Sequence, residues 1–285
     1  MKIKKGFVIN NKYKIKHFID EFTFCETYSA TELSNSKLVN LNIYNSGKIS
    51  RDDLDENGNL REIGFLKMSF KSLPTLLDNG DFNYELEKFR YIATNFISGE
   101  SVLDRIKRSG PLSEIESINI IEKIIKIYKN LHQVDDPILL NGLSLNNIMF
   151  DLSTSSEDIV LRNLINLRKF NSIFKFKHID GVSPFLIASE SFNDVFTIKT
   201  DQFNICSLLF QLLEGVPPWY QEKKINLNDS EEVDAFLDNR SKPLSFLKTE
   251  DNHLKNLINK SLDSNPDNRF NSLDELLSCL NRETL

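Results

Sequence analysis

The sequence predicts an α+β chain, strand-rich at its front and mainly helical behind. Three observations carry this. Between residues 7 and 44, β-branched and aromatic patches lie between Asn-rich turns: Phe7-Val8-Ile9, then Tyr13 and Ile15 in alternation, then Leu38 to Tyr44. From Ser113 the pattern turns helical. Ser113 with Glu116 forms a capping box, and Ile118, Ile121, Ile124, Ile125, Tyr128 and Leu131 recur at helical spacing. Leu254, Leu257, Ile258 and Leu262 mark another helix face, and Ser272 with Glu275 opens a last helix ending at Leu280. At 285 residues the chain is long for one core and suits one two-lobed domain or two small ones.

Charge and composition exclude several classes. A formal net charge of −6 offers no basic field for nucleic acid or an anionic membrane, and no run approaches the length of a membrane span. The amino terminus is basic but lacks the apolar core of a signal peptide. Cys25, Cys206 and Cys279 are too few and scattered for a disulfide framework, so reduced thiols and a cytoplasmic setting are expected. The histidines at 17, 132, 178 and 253 have no metal-ligand spacing, and no metal site is expected.

Along the chain a series of motifs keeps a familiar order. Tyr13, Ile15, Ile19, Tyr28 and Ala30 fit Y-x-I-x-x-x-L-G-x-G-x-x-G-x-V-Y-x-A, with Asp20, Phe22 and Cys25 at the three glycines. Val39-Asn40-Leu41-Asn42 stands at V-A-I-K, and Glu62 at the acid of the helix that follows. Ile138 to Phe150, ILLNGLSLNNIMF, stands at I-V-H-R-D-L-K-P-x-N-I-L, and Ile159 to Ile165 at V-K-L-x-D-F-G. Ser189-Glu190 stands at A-P-E, Thr200-Asp201 opens a helix, Leu212 to Trp219 fits L-L-x-G-x-P-P-[FW], and Asp263 to Phe270 fits D-P-x-x-R. From Tyr13 to Leu280 the chain thus resembles the Ser/Thr protein kinases, as a degenerate member or pseudokinase.

The resemblance implies a two-lobed kinase-like fold: a small β-rich N-lobe with one helix over residues 1–96, and a larger, mainly helical C-lobe over 97–285. Thr94 is implied as gatekeeper and Asn95 to Ile97 as hinge. Structural positions are kept: Asp201, and Glu190 with its expected partner Arg269. Chemical positions are not. The phosphate-binding Lys is Asn42, the base Asp is Gly142, the metal Asp is Asn163, and Asn147 alone remains of the metal-binding set. Glycines let backbone N–H groups approach phosphates without a Cβ in the way, which Asp20, Phe22 and Cys25 do not allow. Asn40 puts an amide where an apolar contact with adenine is expected. Without its lysine, Glu62 is expected to be a solvated helix residue.

The expected function is therefore a catalytically inactive module that binds a protein partner as a scaffold or allosteric regulator, with weak or absent ATP and Mg²⁺ binding. Two alternatives stand beside it: a nucleotide or ligand sensor without turnover, and an atypical transferase with a rearranged site, drawing on Glu62, Asp135, Asp136 or Asp151. Arg168, Lys169, Lys175, Lys177 and His178 form a positive stretch, expected as a solvated face. Trp219-Tyr220 is expected to pack under the loop after the helix opened by Thr200-Asp201 rather than to form a docking patch.

Overall fold

Alternation of side chains along extended backbone builds the front of the molecule. The computed structural model describes residues 2–22, 25–152, 158–170, 172, 174–179 and 181–282. The chain opens with β1 (Val8–Ile9), β2 (Tyr13–Glu21), β3 (Cys25–Glu32), β4 (Leu38–Asn45), α1 (Arg61–Lys67), β5 (Leu76–Tyr84) and β6 (Glu87–Asn95). It continues through α2 (Val102–Ser109), α3 (Glu114–His132), β7 (Ile138–Leu139), β8 (Ile148–Asp151), β9 (Asp158–Leu161) and β10 (Arg168–Lys169). Helices α4 (Ile198–Glu214), α5 (Ser230–Asn239), α6 (Asn252–Ser261) and α7 (Leu273–Leu280) complete it.

Two compact units result, one of residues 1–100 with 147–167, the other of 101–146 with 168–285. In the first, an antiparallel sheet runs in the order β1-β2-β3-β4-β6-β5. One face buries Tyr13, Ile15, Tyr28, Ala30, Val39, Leu41, Ile43, Tyr91 and Ala93 in a single apolar cluster, with Ile3 from the amino terminus. By the strand period of two, the opposite face presents Thr27, Asn40, Asn42, Tyr44 and Thr94. The two ends of the sheet are joined through Asp78 Oδ2, which accepts from Lys12 Nζ at 2.9 Å, Tyr13 Oη at 3.2 Å and Tyr91 Oη at 3.0 Å.

A single cut after residue 96 does not describe these units. Phe150 N donates to Glu100 O at 3.0 Å, Leu152 N to Ser98 O at 2.9 Å and Leu161 N to Ser72 O at 2.9 Å. These bonds tie the β8–β9 hairpin to the first unit. A Cβ at Gly99 would overlap the Phe150 carbonyl oxygen, so only glycine permits that approach.

The second unit is helical. The Ser113–Glu116 box caps α3, and Ser272 caps α7, which ends at Leu280. Helix α4 is buried along nearly its whole length, and it begins at Ile198, because Thr197 caps it. The expected solvated basic face is not uniform. Arg168 is buried, pairs with Leu139 across the β7–β10 ladder, and lies 4.8 Å from the Phe174 ring, while Lys169 pairs with Asp136 at 2.8 Å. The side chain of His178 lies outside the described residues. Trp219 packs inward: its indole donates to Lys242 O at 3.0 Å and its ring stacks on Phe203. Arg240 is buried among Phe192, Phe203, Trp219 and Phe236, donating to Pro184 O at 2.8 Å and Ser189 Oγ at 3.1 Å. Among the described residues, no helix is long and apolar enough to cross a membrane.

Candidate functional site

In the first unit the polar face of the sheet closes on α1 through side-chain bonds. Asn42 is buried; its amide nitrogen donates to Glu62 Oε1 at 3.2 Å, and its oxygen lies 3.1 Å from Thr27 Oγ1 and 3.3 Å from Asn40 Nδ2. Tyr44, two residues along the same strand face, donates to Glu62 Oε2, and Leu164 N donates to Oε1 at 3.4 Å. The lysine–glutamate pair implied by the resemblance is replaced by an amide, a phenol and a main-chain N–H around one carboxyl.

Glu62 is therefore not the solvated residue expected. It is buried at 7% exposure because α1 presents it to β4, where Asn42 and Tyr44 supply donors. Burial raises its pKa, and the bonds from Tyr44, Leu164 and Asn42 only partly offset this. Burial also holds the Tyr44 phenol well above its ordinary range, with Cys25 and Glu62 adding to the effect.

A carboxyl whose folded pKa is raised stabilises the fold fully below its unfolded pKa, and that contribution is lost as pH rises through the folded value. The stability of the wild type relative to Glu62→Gln is therefore expected to fall as pH rises above the ordinary 4.5. Paired denaturant titrations across pH check this. A difference that is flat, or that grows with pH, contradicts it.

Asn163 takes a left-handed backbone, φ +56°, and its side chain joins the same chain of contacts. Its oxygen lies 3.4 Å from Thr27 Oγ1, and its nitrogen donates to Asn147 Oδ1 at 3.4 Å. The Thr27 hydroxyl has one proton, and the shorter contact directs it to Asn42. As a Mg²⁺ ligand set, Asn147 and Asn163 do not fit: both are neutral amides, bonded to each other, where the ion prefers carboxylate oxygen. Among the described residues no group of three or more His, Cys, Asp or Glu side chains is placed to hold a metal.

The other positions at this face vary. Thr94 is buried on β6, opposite Asn40 in the ladder. Cys25 is buried opposite Tyr44, and Phe22 is half-buried, its N–H donating to Cys25 O at 2.7 Å. Asp20 lies 3.8 Å from the Arg162 guanidinium.

In the second unit, residues 140–143 are held by helix α4. Asp201, fully buried, accepts from Leu140 N at 3.2 Å and Asn141 N at 3.1 Å, and lies 2.8 Å from His132 Nε2. Asn204, one turn on, accepts from Leu143 N and Tyr128 Oη, both at 2.9 Å, and donates to Leu143 O and Leu186 O. No motif in the sequence pointed to Asn204; its only signal is a polar residue in the apolar run of α4. Glu190 and Arg269 form a bidentate pair at 2.6 and 2.9 Å, with Arg269 also donating to Asp263 O and Lys199 O.

Gly142 has φ +109°, and a Cβ there would lie 3.2 Å from a Val182 methyl. Restoring the acid by Gly142→Asp therefore meets both backbone strain and a neighbour. It is expected to cost roughly 1–3 kcal/mol in denaturant unfolding, without gain of phosphate transfer. Unchanged or increased stability contradicts this.

A model of the protein kinase domain matches residues 13–279. Among curated proteins, a CaM kinase-like vesicle-associated protein of Xenopus laevis is 24% identical over 80% of this chain and 58% of its own length. Calcium-dependent protein kinase 4 of Arabidopsis thaliana is 25% identical over 68% of this chain and 37% of its own. A probable serine/threonine-protein kinase of Clostridium perfringens is 20% identical over 97% of this chain and 39% of its own. The chain thus spans less than two thirds of the length of each of these relatives.

Proposed function

The chain belongs to the protein kinase domain family, and from that premise we propose that it is a catalytically inactive member acting as a protein-binding or allosteric module. One observation carries the reading. The position that would grip nucleotide phosphates is Asn42, and its amide is engaged by Glu62, Thr27 and Asn40 inside the unit. Phosphoryl transfer rests on positioning and on charge that stabilises the transferring group. Removing one stabilising donor typically costs ~10²–10³ in rate. Here the cation, the base and the metal carboxylate are replaced at Asn42, Gly142 and Asn163. What is kept, the Asp201 anchor and the Glu190–Arg269 pair, holds backbone in place and performs no chemistry. Such a framework suits recognition of another protein.

A thermal melt with ATP, with and without Mg²⁺, tests it. A ligand at 100 times its Kd adds about 2.7 kcal/mol. The proposal expects no Mg²⁺-dependent shift. A shift that requires Mg²⁺ counts against it, and capture of a defined partner by the full-length protein from its native cell supports it.

A further inference from the structure

In the second unit, one buried carboxylate fixes the segment before α6 to the end of α4. Glu214 accepts from Leu247 N at 2.8 Å, Lys248 N at 3.0 Å, and Thr249 N and Oγ1 at 2.9 and 2.6 Å. The entry to α3 is fixed to the same helix end. Leu112 N donates to Leu212 O at 2.9 Å, and a Cβ on Gly215 would lie 2.9 Å from Pro111 Cγ, so glycine lets Pro111 pack there. A cavity of about 480 Å³ lies between the two segments, walled by Pro111, Leu112 and Leu213 and rimmed by Glu114, Lys248 and Glu250. All these residues belong to the second unit. The volume is above the roughly 300 Å³ at which pockets hold ligands.

The rim sets the sign of an occupant. Its ionisable side chains are Glu114, Glu250 and Asp251 against Lys248. Asp251 is committed, since it caps α6 and pairs with Arg282. Glu114 has one long contact, from Asp251 N at 3.4 Å, and among the described residues the Glu250 carboxylate and the Lys248 ammonium have no partner. The two helix starts here do not call for an anion, because Ser113 caps α3 and Asp251 caps α6. Apolar surface adjoins the same rim. Ile115, next to Glu114, is 74% exposed, and Leu247, next to Lys248, is 84% exposed. The main chain of Leu247 is bound to Glu214 while its side chain stands in solvent, so covering it costs little backbone entropy.

We propose that this cavity is a docking site for a segment of a partner protein that carries a lysine or arginine beside an apolar residue. The cation is held by Glu114 and Glu250 with its methylenes along Pro111, Leu112 and Leu213, and the apolar neighbour covers Leu247 and Ile115. The inference rests on the protein-binding reading above and names the kind of partner.

A displayed library of short random peptides is the probe, selected on the full chain. Recovered peptides are expected to pair Lys or Arg with Leu, Ile, Val or Phe. Glu114→Gln with Glu250→Gln is expected to bind them about three- to tenfold more weakly, the size of two rim charges. Ile115→Ser with Leu247→Ser is expected to bind them about tenfold more weakly. Lys248→Gln removes the like charge and is expected to tighten binding about two- to threefold. A thermal melt of each variant separates lost binding from lost fold. Hydrogen exchange of the wild type reads the site without substitution: bound peptide is expected to slow amides at 112–115 and 247–251 and none in the first unit. Recovery of acidic or uncharged peptides, no recovery above an empty support, or equal binding by the wild type and both double variants overturns the proposal. Phosphate transfer by the chain, in contrast, removes only the inactive reading, because it reports on Asn42 and its neighbours in the first unit.

Discussion

Asp201→Ala is expected to destabilise the second unit by about 3–5 kcal/mol and to strip exchange protection from the Leu140 and Asn141 amides. The size follows from what is orphaned. Both amides are donors of buried residues, each bound to one Asp201 oxygen, and His132 loses its partner as well. A buried donor left without an acceptor costs about 1–3 kcal/mol, and alanine leaves two. Asp201→Asn keeps one oxygen and is expected to cost less than alanine. Hydrogen exchange read at residues 140 and 141, beside denaturant unfolding, separates this from a general loss of packing. Protected amides in Asp201→Ala contradict the anchoring role.

Glu190→Ala is expected to cost a similar 3–5 kcal/mol, by a different route. The Arg269 side chain is fully buried and stacks 5.0 Å from Phe203, so removing its carboxylate leaves a cation that cannot reach water. Two carbonyls, of Asp263 and Lys199, remain as partners and do not neutralise it. Pairing Glu190→Ala with Arg269→Met removes the stranded charge and is expected to recover part of the loss, measured as the coupling in a double-mutant cycle. No recovery in the double variant indicates that packing rather than charge sets the cost.

How much of this was legible in the sequence depends on the range of the physics involved. Caps and periodicities are local, so Ser113 with Glu116, Ser272 and the strand at Leu38 to Tyr44 lie where the pattern put them. The bidentate Glu190–Arg269 contact joins residues far apart, and only the order of motifs made it visible. Glu62 was misread because its fate depends on what faces it. Tyr44 shares a strand face with Asn42, and alternation along β4 carried that clue. Arg168 was misread for the same reason, since a charged residue in a basic run does not announce that Phe174 will cover it. Asn204 and the ring of aromatics around Arg240 arise from packing between distant segments, which no window of sequence contains.

We propose that a chain carrying Asn42, Gly142 and Asn163 at these positions does not transfer phosphate. Incubating the full chain with γ-labelled ATP, Mg²⁺ and a generic protein substrate, alongside Asn147→Ala, measures it most directly. The expected result is incorporation at the level of the no-enzyme control in both proteins. Steady transfer by the wild type that Asn147→Ala abolishes would contradict the claim.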